Sequence, residues 1–349
     1  MDRVMEEDIR RMLSEREDLE RLRRKSVLIS GANSFLMSYL VYLIFENNRR
    51  NHSDTQLLAL CRSRERAEER FRPYLGDPNL RILEQDVRDP VAWEGDVDIC
   101  IHAASPAGVR IRRENPLEIF QANVRGCQNL LEFSLEKRCE KFLLVSSVDV
   151  YGTCPGKKRV KEKDMGFLDW NYPRNAYSSG KRSAETLCSL YYAQMNLPCV
   201  TVRPVQIYGP GMSLTDGRLH GDFIHQLISA NQIVLKSDGS AIRSFLYLTD
   251  ATHALLDTLF YGQPGECYNI CDEAGERSVK ELAELYAAQW GNGAEVVFDL
   301  SERNTPEVKD AVSVVAGDSS KLRRLGWKSR IDLKSGIQRT LEHYTGSSA

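Results

Sequence analysis

Short apolar runs alternate with amphipathic ones along most of this chain. SVLISGA at 26–32 reads as a buried strand closing in a glycine turn, and FLMSYLVYLIFENN after it as a buried helix. TQLLALCRS predicts a second strand, ERAEERFRPYL a helix, and LRILEQDV and VDICIHAAS two more strands. PLEIFQANVRGCQNLLEFSLEKR follows as a long helix, KFLLVSSVDVYG as a strand with a loop, SAETLCSLYYAQMN as a helix and PCVTVRPVQIYGP as a strand. Each strand is a continuous run of Val, Ile and Leu rather than an alternation, which is the mark of parallel strands covered on both faces. The fold expected is therefore α/β, a Rossmann-like doubly wound parallel sheet over 26–210. Such sheets bind ligands outside the carboxyl ends of their strands.

After about residue 210 the alternation weakens. GRLHGDFIHQLISANQ, RSFLYLTDATHALLDTLF and SVKELAELYAAQWG predict helices or helix-bearing segments with short strands between them. We read 211–349 as a smaller mixed α/β substrate cap interwoven with the sheet domain. Residues 1–25 are amphipathic and highly charged, and predict a helical extension packed on the main domain or on a partner subunit.

Composition narrows the function classes. The formal charge of −2 gives no basic field for nucleic acid. The charged start is unlike a secretory signal, and no apolar run approaches the eighteen or so residues of a membrane span. Nine cysteines without a C-x-x-C pair suggest a reducing compartment and free thiols, so a cytoplasmic location is expected. The six histidines are spread singly, and no metal site is expected.

One stretch carries chemistry. NAYSSGKRSAETLC holds Tyr177 and Lys181 four residues apart, hence one above the other on a helix. A nearby ammonium favours the phenolate and lowers the tyrosine pKa towards working pH, which makes a general base or acid. Any helix can produce this spacing by chance, so the pair needs support from elsewhere. The first strand supplies some, since it ends at Gly31 and runs into a helix, where a pyrophosphate would sit. The three-glycine dinucleotide fingerprint is incomplete in GANSFLM, because Ser34 and Met37 stand where the second and third glycines would be. Met37 in that place suggests a displaced helix. Asp86 follows the third strand, where a carboxylate meets adenine, with Val87 beside it. Ala103, Ala104 and Ser105 follow the fourth, and Asn123 lies on the helix behind them. The second strand ends in Cys61, Arg62 and Arg64, not in the acid that binds the ribose of NAD, so NADP stays open beside NAD.

Together GANSFL, HAAS, SSVDVYG, YSSGK, RPVQIYGPG and IRSFLYLTD, in this order, resemble the extended short-chain dehydrogenase/reductase family that modifies nucleotide sugars. The resemblance runs from Ser26 to Tyr344. It implies NAD as cofactor on Gly31, Asn33, Ser34, Phe35 and Leu36, a nucleotide-diphosphate sugar as substrate, and a homodimer. It also implies that Tyr177 takes the proton of the sugar C4 hydroxyl, that Ser147 hydrogen-bonds the same hydroxyl, and that Lys181 holds the ribose.

Within the family the chain looks most like UDP-glucuronate decarboxylases, through ASPA, GKRSAETLC, GPGM with DGR at 216–218, and RSF at 243–245. By that likeness Asp149 stands where those enzymes carry a sugar-side Glu, Ser105 and Gln206 meet substrate, and Arg218 and Arg243 meet the diphosphate. SVVAGDSSKLRRLGW offers no clear match for the late arginine thought to meet the substrate carboxylate. A 4-epimerase, a 4,6-dehydratase and a degenerate non-catalytic Rossmann protein are the alternatives. The dehydratase is disfavoured because Val148 cannot protonate a leaving hydroxyl.

Overall fold

The structure is a computed structural model that describes residues 1–106, 108–301 and 316–346, without the Arg110 side chain. Ala107 of the ASPA stretch and the first residues of SVVAGDSSKLRRLGW, 313–315, lie outside them. The elements in chain order are α1 (Arg3–Glu15), β1 (Ser26–Ser30), α2 (Phe35–Asn51), β2 (Gln56–Cys61), α3 (Arg64–Arg70), β3 (Leu80–Glu84), β4 (Ile99–His102), α4 (Val109–Glu114), α5 (Pro116–Glu136), β5 (Lys141–Val145), α6 (Ala176–Met195) and β6 (Cys199–Pro204). Then come β7 (Gln206–Tyr208), α7 (Leu219–Ala230), β8 (Gln232–Leu235), β9 (Ile242–Tyr247), α8 (Leu248–Tyr261), β10 (Cys267–Ile270), β11 (Glu276–Ser278), α9 (Val279–Trp290), β12 (Glu295–Phe298) and a C-terminal helix, Leu333–Thr345.

Seven strands form one parallel sheet in the order β10-β6-β5-β4-β1-β2-β3. The apolar runs are continuous because successive residues serve opposite cores. Val27 and Ile29 of β1 point into one core with α2 and α8, while Leu28 points into the other with α5 and α6. Leu143 and Val145 against Phe142 and Leu144 repeat the pattern on β5. The strand order reverses between β1 and β4, so the crevice beyond their carboxyl ends is the ligand site of a doubly wound sheet.

PCVTVRPVQIYGP is two strands rather than one. β6 pairs with β5 in the large sheet, and after Val205 the chain enters β7, which pairs with β9 in a three-stranded sheet. Both halves are apolar, so no change of period marks the crossing. A third core, built on Tyr208, Phe223, Tyr286 and Ile337, holds the cap together. Between excursions into the cap, the chain returns to the large sheet as α8 and β10.

Residues 1–25 are not one helix. α1 stops at Arg16 (φ −128°, ψ 72°), whose guanidinium is buried on Asp257 and Asp18, and a 3-10 turn at Glu17–Leu22 follows. α1 packs on α2, α8 and the C-terminal helix, with Asp8 buried between Tyr247 and Arg339. Among the described residues no helix is long and apolar enough to cross a membrane, no cluster could hold a metal ion, and all nine cysteines are free.

Candidate active site

The crevice starts at Gly31. Its φ of +68° lies in the left-handed region that favours glycine, and a Cβ there would stand 2.9 Å from the Ala104 Cα. β1 and β4 therefore end almost in contact. Ser30 Oγ fastens them, accepting from the amides of Ala103 and Ala104 at 3.2 Å each and meeting His102 Nδ1 at 2.8 Å. Ser34 N-caps α2 through its backbone only, so its hydroxyl does not cover the first-turn amides. Met37 is fully buried and fills the space under α2. Among the described residues, the buried Ser105 Oγ, Asn123 Oδ1 and Ser146 Oγ lack hydrogen-bond partners. Small residues, free helix amides and orphaned polar atoms around one crevice fit a dinucleotide.

Tyr177 and Lys181 lie in the first turns of α6, and both are buried. Gly180 between them allows α6 to approach α5, since a Cβ there would meet Asn123 Cβ at 3.0 Å. The expected electrostatics change in one respect. Lys181 Nζ donates to the Val145 carbonyl at 2.6 Å and stands 6.0 Å from the Tyr177 ring centroid. The cation on the tyrosine is Arg112 of α4, with Cζ 3.6 Å from the ring centroid. Burial pushes the Tyr177 phenol above its ordinary value. Arg112 pulls hardest the other way, Asp149 adds to the rise, and Ser147 and Arg218 lower it. The phenol is thus held protonated on balance, not lowered by its helical neighbour. Burial meanwhile brings the Lys181 ammonium down to about 8.

Asp149 is the third member of this group. Ser147 N-caps the 3-10 turn Val148–Tyr151, accepting from the Asp149 amide at 3.1 Å. The turn aims the Asp149 carboxylate at Arg112, with Oδ2 2.7 Å from Nη1.

The pattern that defines the NAD dependent epimerase/dehydratase family matches residues 27–271. This chain belongs to that family. It is similar to UDP-glucuronic acid decarboxylase 3 of Arabidopsis thaliana, 30% identical over 317 residues that cover 89% of this chain and 86% of the relative. In fold it is similar to a UDP-glucose 4-epimerase of Thermotoga maritima solved with UDP-glucose, at a TM-score of 0.77 and 21% identity, covering 92% and 99% of the two chains. It is also similar to the dTDP-glucose 4,6-dehydratase DesIV of Streptomyces venezuelae solved with NAD and TYD, at 0.76 and 22%, covering 92% and 97%.

The other residues singled out from the sequence lie around this centre. Arg62 is exposed at the tip of β2 and pairs with Glu118 Oε1 at 2.6 Å. Asp86 receives two contacts from the Arg88 guanidinium, which hold its carboxyl below the ordinary value. Val87 is buried against Gly126. Arg218, at the N-cap of α7, leans on Asp216, and the Asp216 carbonyl accepts from the Val109 amide at 3.2 Å, tying this loop to α4. Arg243 on β9 is drawn electrostatically to Asp149. Gln206 is exposed on β7, in register with Phe245.

Arg112 is the site residue that sequence reasoning passed over. VRIRRE offers three arginines in one short helix, and nothing in the sequence marks Arg112 as one that lies over Tyr177.

Proposed function

We propose that this chain is an NAD-dependent enzyme that transiently oxidises the C4 hydroxyl of a nucleotide-diphosphate sugar, and that its substrate is UDP-glucuronate, which it decarboxylates. The observation that carries the reading is the grouping of Ser147, Tyr177, Lys181 and Asp149 beside the Gly31–Ala104 crevice. Gly31, the α2 amides from Ser34 onward, Asp86, Val87, Ala103 to Ser105, Asn123 and Lys181 are the groups that would hold NAD. NAD, when bound, supplies the hydride acceptor and donor. Glu118 already engages Arg62, so a 2′-phosphate would have to displace a carboxylate, which favours NAD over NADP.

In this reading Tyr177 exchanges the C4 proton, Ser147 orients the same oxygen, and Arg218 and Arg243 take the diphosphate. A C4 ketone beside a C5 carboxylate is a β-keto acid. Loss of carbon dioxide then needs only a polarised ketone and an acid to return a proton to C5, and Asp149 is the acid at hand. The dehydratase reading stays disfavoured by Val148. A 4-epimerase is the second reading, supported by the engagement of Asp149 with Arg112, because epimerisation needs no further acid. A cytoplasmic homodimer completes the proposal.

The test is incubation of the NAD-supplemented protein with a panel of nucleotide sugars, read by mass spectrometry. Loss of carbon dioxide from UDP-glucuronate is the expected result. Unchanged mass with altered retention means epimerisation, and loss of water means dehydration. No conversion of any nucleotide sugar would refute the whole reading.

A further inference from the structure

Arg112 is placed where a substrate group belongs. Its guanidinium lies over the face of Tyr177, and its side chain and that of Asp149 are 28% and 30% exposed. It makes one contact with Asp149, through Nη1. Among the described residues its Nε is buried without a partner. A guanidinium offers two parallel N–H groups along an edge and binds a carboxylate best when both are used. The resting contact to the carboxylate is a single one, the Tyr177 hydroxyl is a second partner, and the Nε hydrogen bond is left unmade at a cost.

We propose that Arg112 is the carboxylate-recognition residue of this site: it takes the carboxylate of a hexuronate nucleotide sugar in a two-point contact and releases Asp149, which occupies that place at rest. The proposal deepens the functional reading above and rests on it for one thing, the seating of the sugar C4 hydroxyl at Tyr177. The carboxylate is then borne by the neighbouring ring carbon, C5, and Arg112 is a cation that lies against the same tyrosine. Exchange of one carboxylate for another keeps the guanidinium paired throughout. Asp149 is not stranded when it leaves, because Arg243 attracts it. Once released it is free to act on the sugar, so the same residue that reads the acidic group also frees the acid. A neutral hexose gives Arg112 nothing to exchange for, and leaves Asp149 engaged.

The test compares UDP-glucuronate with UDP-glucose, which differ only in carboxylate against hydroxymethyl, by calorimetric titration of the NAD-saturated full chain. The wild type should prefer the acid by roughly 10- to 100-fold, the range of hydrogen bonds to a charged group. Arg112→Gln should bring the two affinities close together by weakening the binding of UDP-glucuronate far more than that of UDP-glucose. Arg112→Lys, which keeps the charge and the ring contact but not the fork, should fall between, and serves if the Gln variant does not fold. Asp149→Ala should increase the preference several-fold, because the resident competitor is gone.

Equal loss of both sugars in Arg112→Gln would overturn the proposal in favour of a purely structural role. An unchanged preference would overturn it by placing the carboxylate elsewhere. A preference that falls in Asp149→Ala would overturn the exchange. If the wild type prefers the acid through Arg112 yet never releases carbon dioxide, the recognition stands and the decarboxylase reading falls. If it releases carbon dioxide with no dependence on Arg112, the reverse holds.

Discussion

His102, His220 and His253 are buried in three different places, and mild acid should destabilise the protein through them. His102 closes the β1–β4 junction on Ser30. His220 lies flat on Tyr208, with ring centroids 4.3 Å apart, and its Nδ1 meets the Tyr286 hydroxyl at 2.7 Å. His253 sits under α1, with neither ring nitrogen hydrogen-bonded among the described residues. Burial holds the three at about 3, 3 and 2 respectively, with nearby Lys181, Arg218 and the trio Arg330, Arg16 and Arg11 adding to the shift. Glu15 approaches His253 Nε2 at 3.4 Å, but Arg330 holds that carboxylate at 2.7 Å, so the ring stays neutral.

The sign follows from proton uptake. Below about pH 6.5 the unfolded chain binds protons at these rings and the folded chain does not, so stability is full above that value and falls with pH. From about pH 6.5 to 5.5 each ring costs about 1 kcal/mol, about 3 kcal/mol for the three, against a typical total of 5–15 kcal/mol. The loss continues towards about 3 for His102 and His220 and about 2 for His253. Buried Asp8, Asp250 and Asp257, whose carboxyls burial raises, act in the opposite sense at the acid end and flatten the curve there. Urea unfolding at a series of pH values measures the slope. His253→Leu, which cannot charge and leaves no unpaired nitrogen, should make it shallower by about a third, one ring of three. Stability that is flat or rising as the pH falls from about 6.5 to 5.5 would show that these rings are charged in the fold, and the reasoning would fail.

Three further outcomes test the crevice. Tyr177→Phe keeps the ring under Arg112 and removes only the hydroxyl, so circular dichroism and NAD affinity should hold while turnover drops by about 10²- to 10⁴-fold or more, the range for a lost general acid–base group. Gly31→Ala should lower both the melting temperature and NAD affinity, since it adds about 1 kcal/mol or more of left-handed strain and drives a Cβ against the Ala104 backbone; undiminished NAD binding by calorimetry would show that the β1–β4 contact does not shape the site. Met37→Gly should destabilise by about 2–5 kcal/mol through the cavity, with about 1 kcal/mol more for glycine in a helix; a more stable variant in urea would show Met37 to be strained rather than packed.

What the sequence made legible was local, or repeated at a fixed period. Each strand of the large sheet shows as an apolar run because both of its faces are buried, a property the chain carries residue by residue. Tyr177 and Lys181 share a helix, so the helical repeat alone brings them together. Gly31 ends a strand, and its place in the crevice follows from the fold class. The features that escaped are made by segments distant in sequence. Nothing in PCVTVRPVQIYGP announces that Val205 separates two sheets, because both sheets want apolar residues there. Arg16 interrupts an otherwise helical pattern on account of Asp257, which lies far along the chain. The departures from the glycine fingerprint were visible as departures, but whether Met37 displaced the helix or filled a space depended on neighbours that the sequence does not place.

Arg112 and Asp149 show how much such a long-range contact can change a chemical reading. From the sequence Asp149 is an acid beside a sugar. In the fold its Oδ2 is engaged by the Arg112 guanidinium, which fixes where the carboxylate points. In the proposed reading, its use on the sugar is therefore conditional on something else occupying Arg112. A second carboxylate is the species best suited to do so, and the proposed substrate brings one to the neighbouring carbon. The choice between decarboxylation and epimerisation then turns on how long Arg112 keeps hold of the substrate carboxylate once the ketone has formed. A guanidinium that holds it firmly stabilises the charged group and slows the loss of carbon dioxide. One that yields it as the ketone forms lets the β-keto acid decompose.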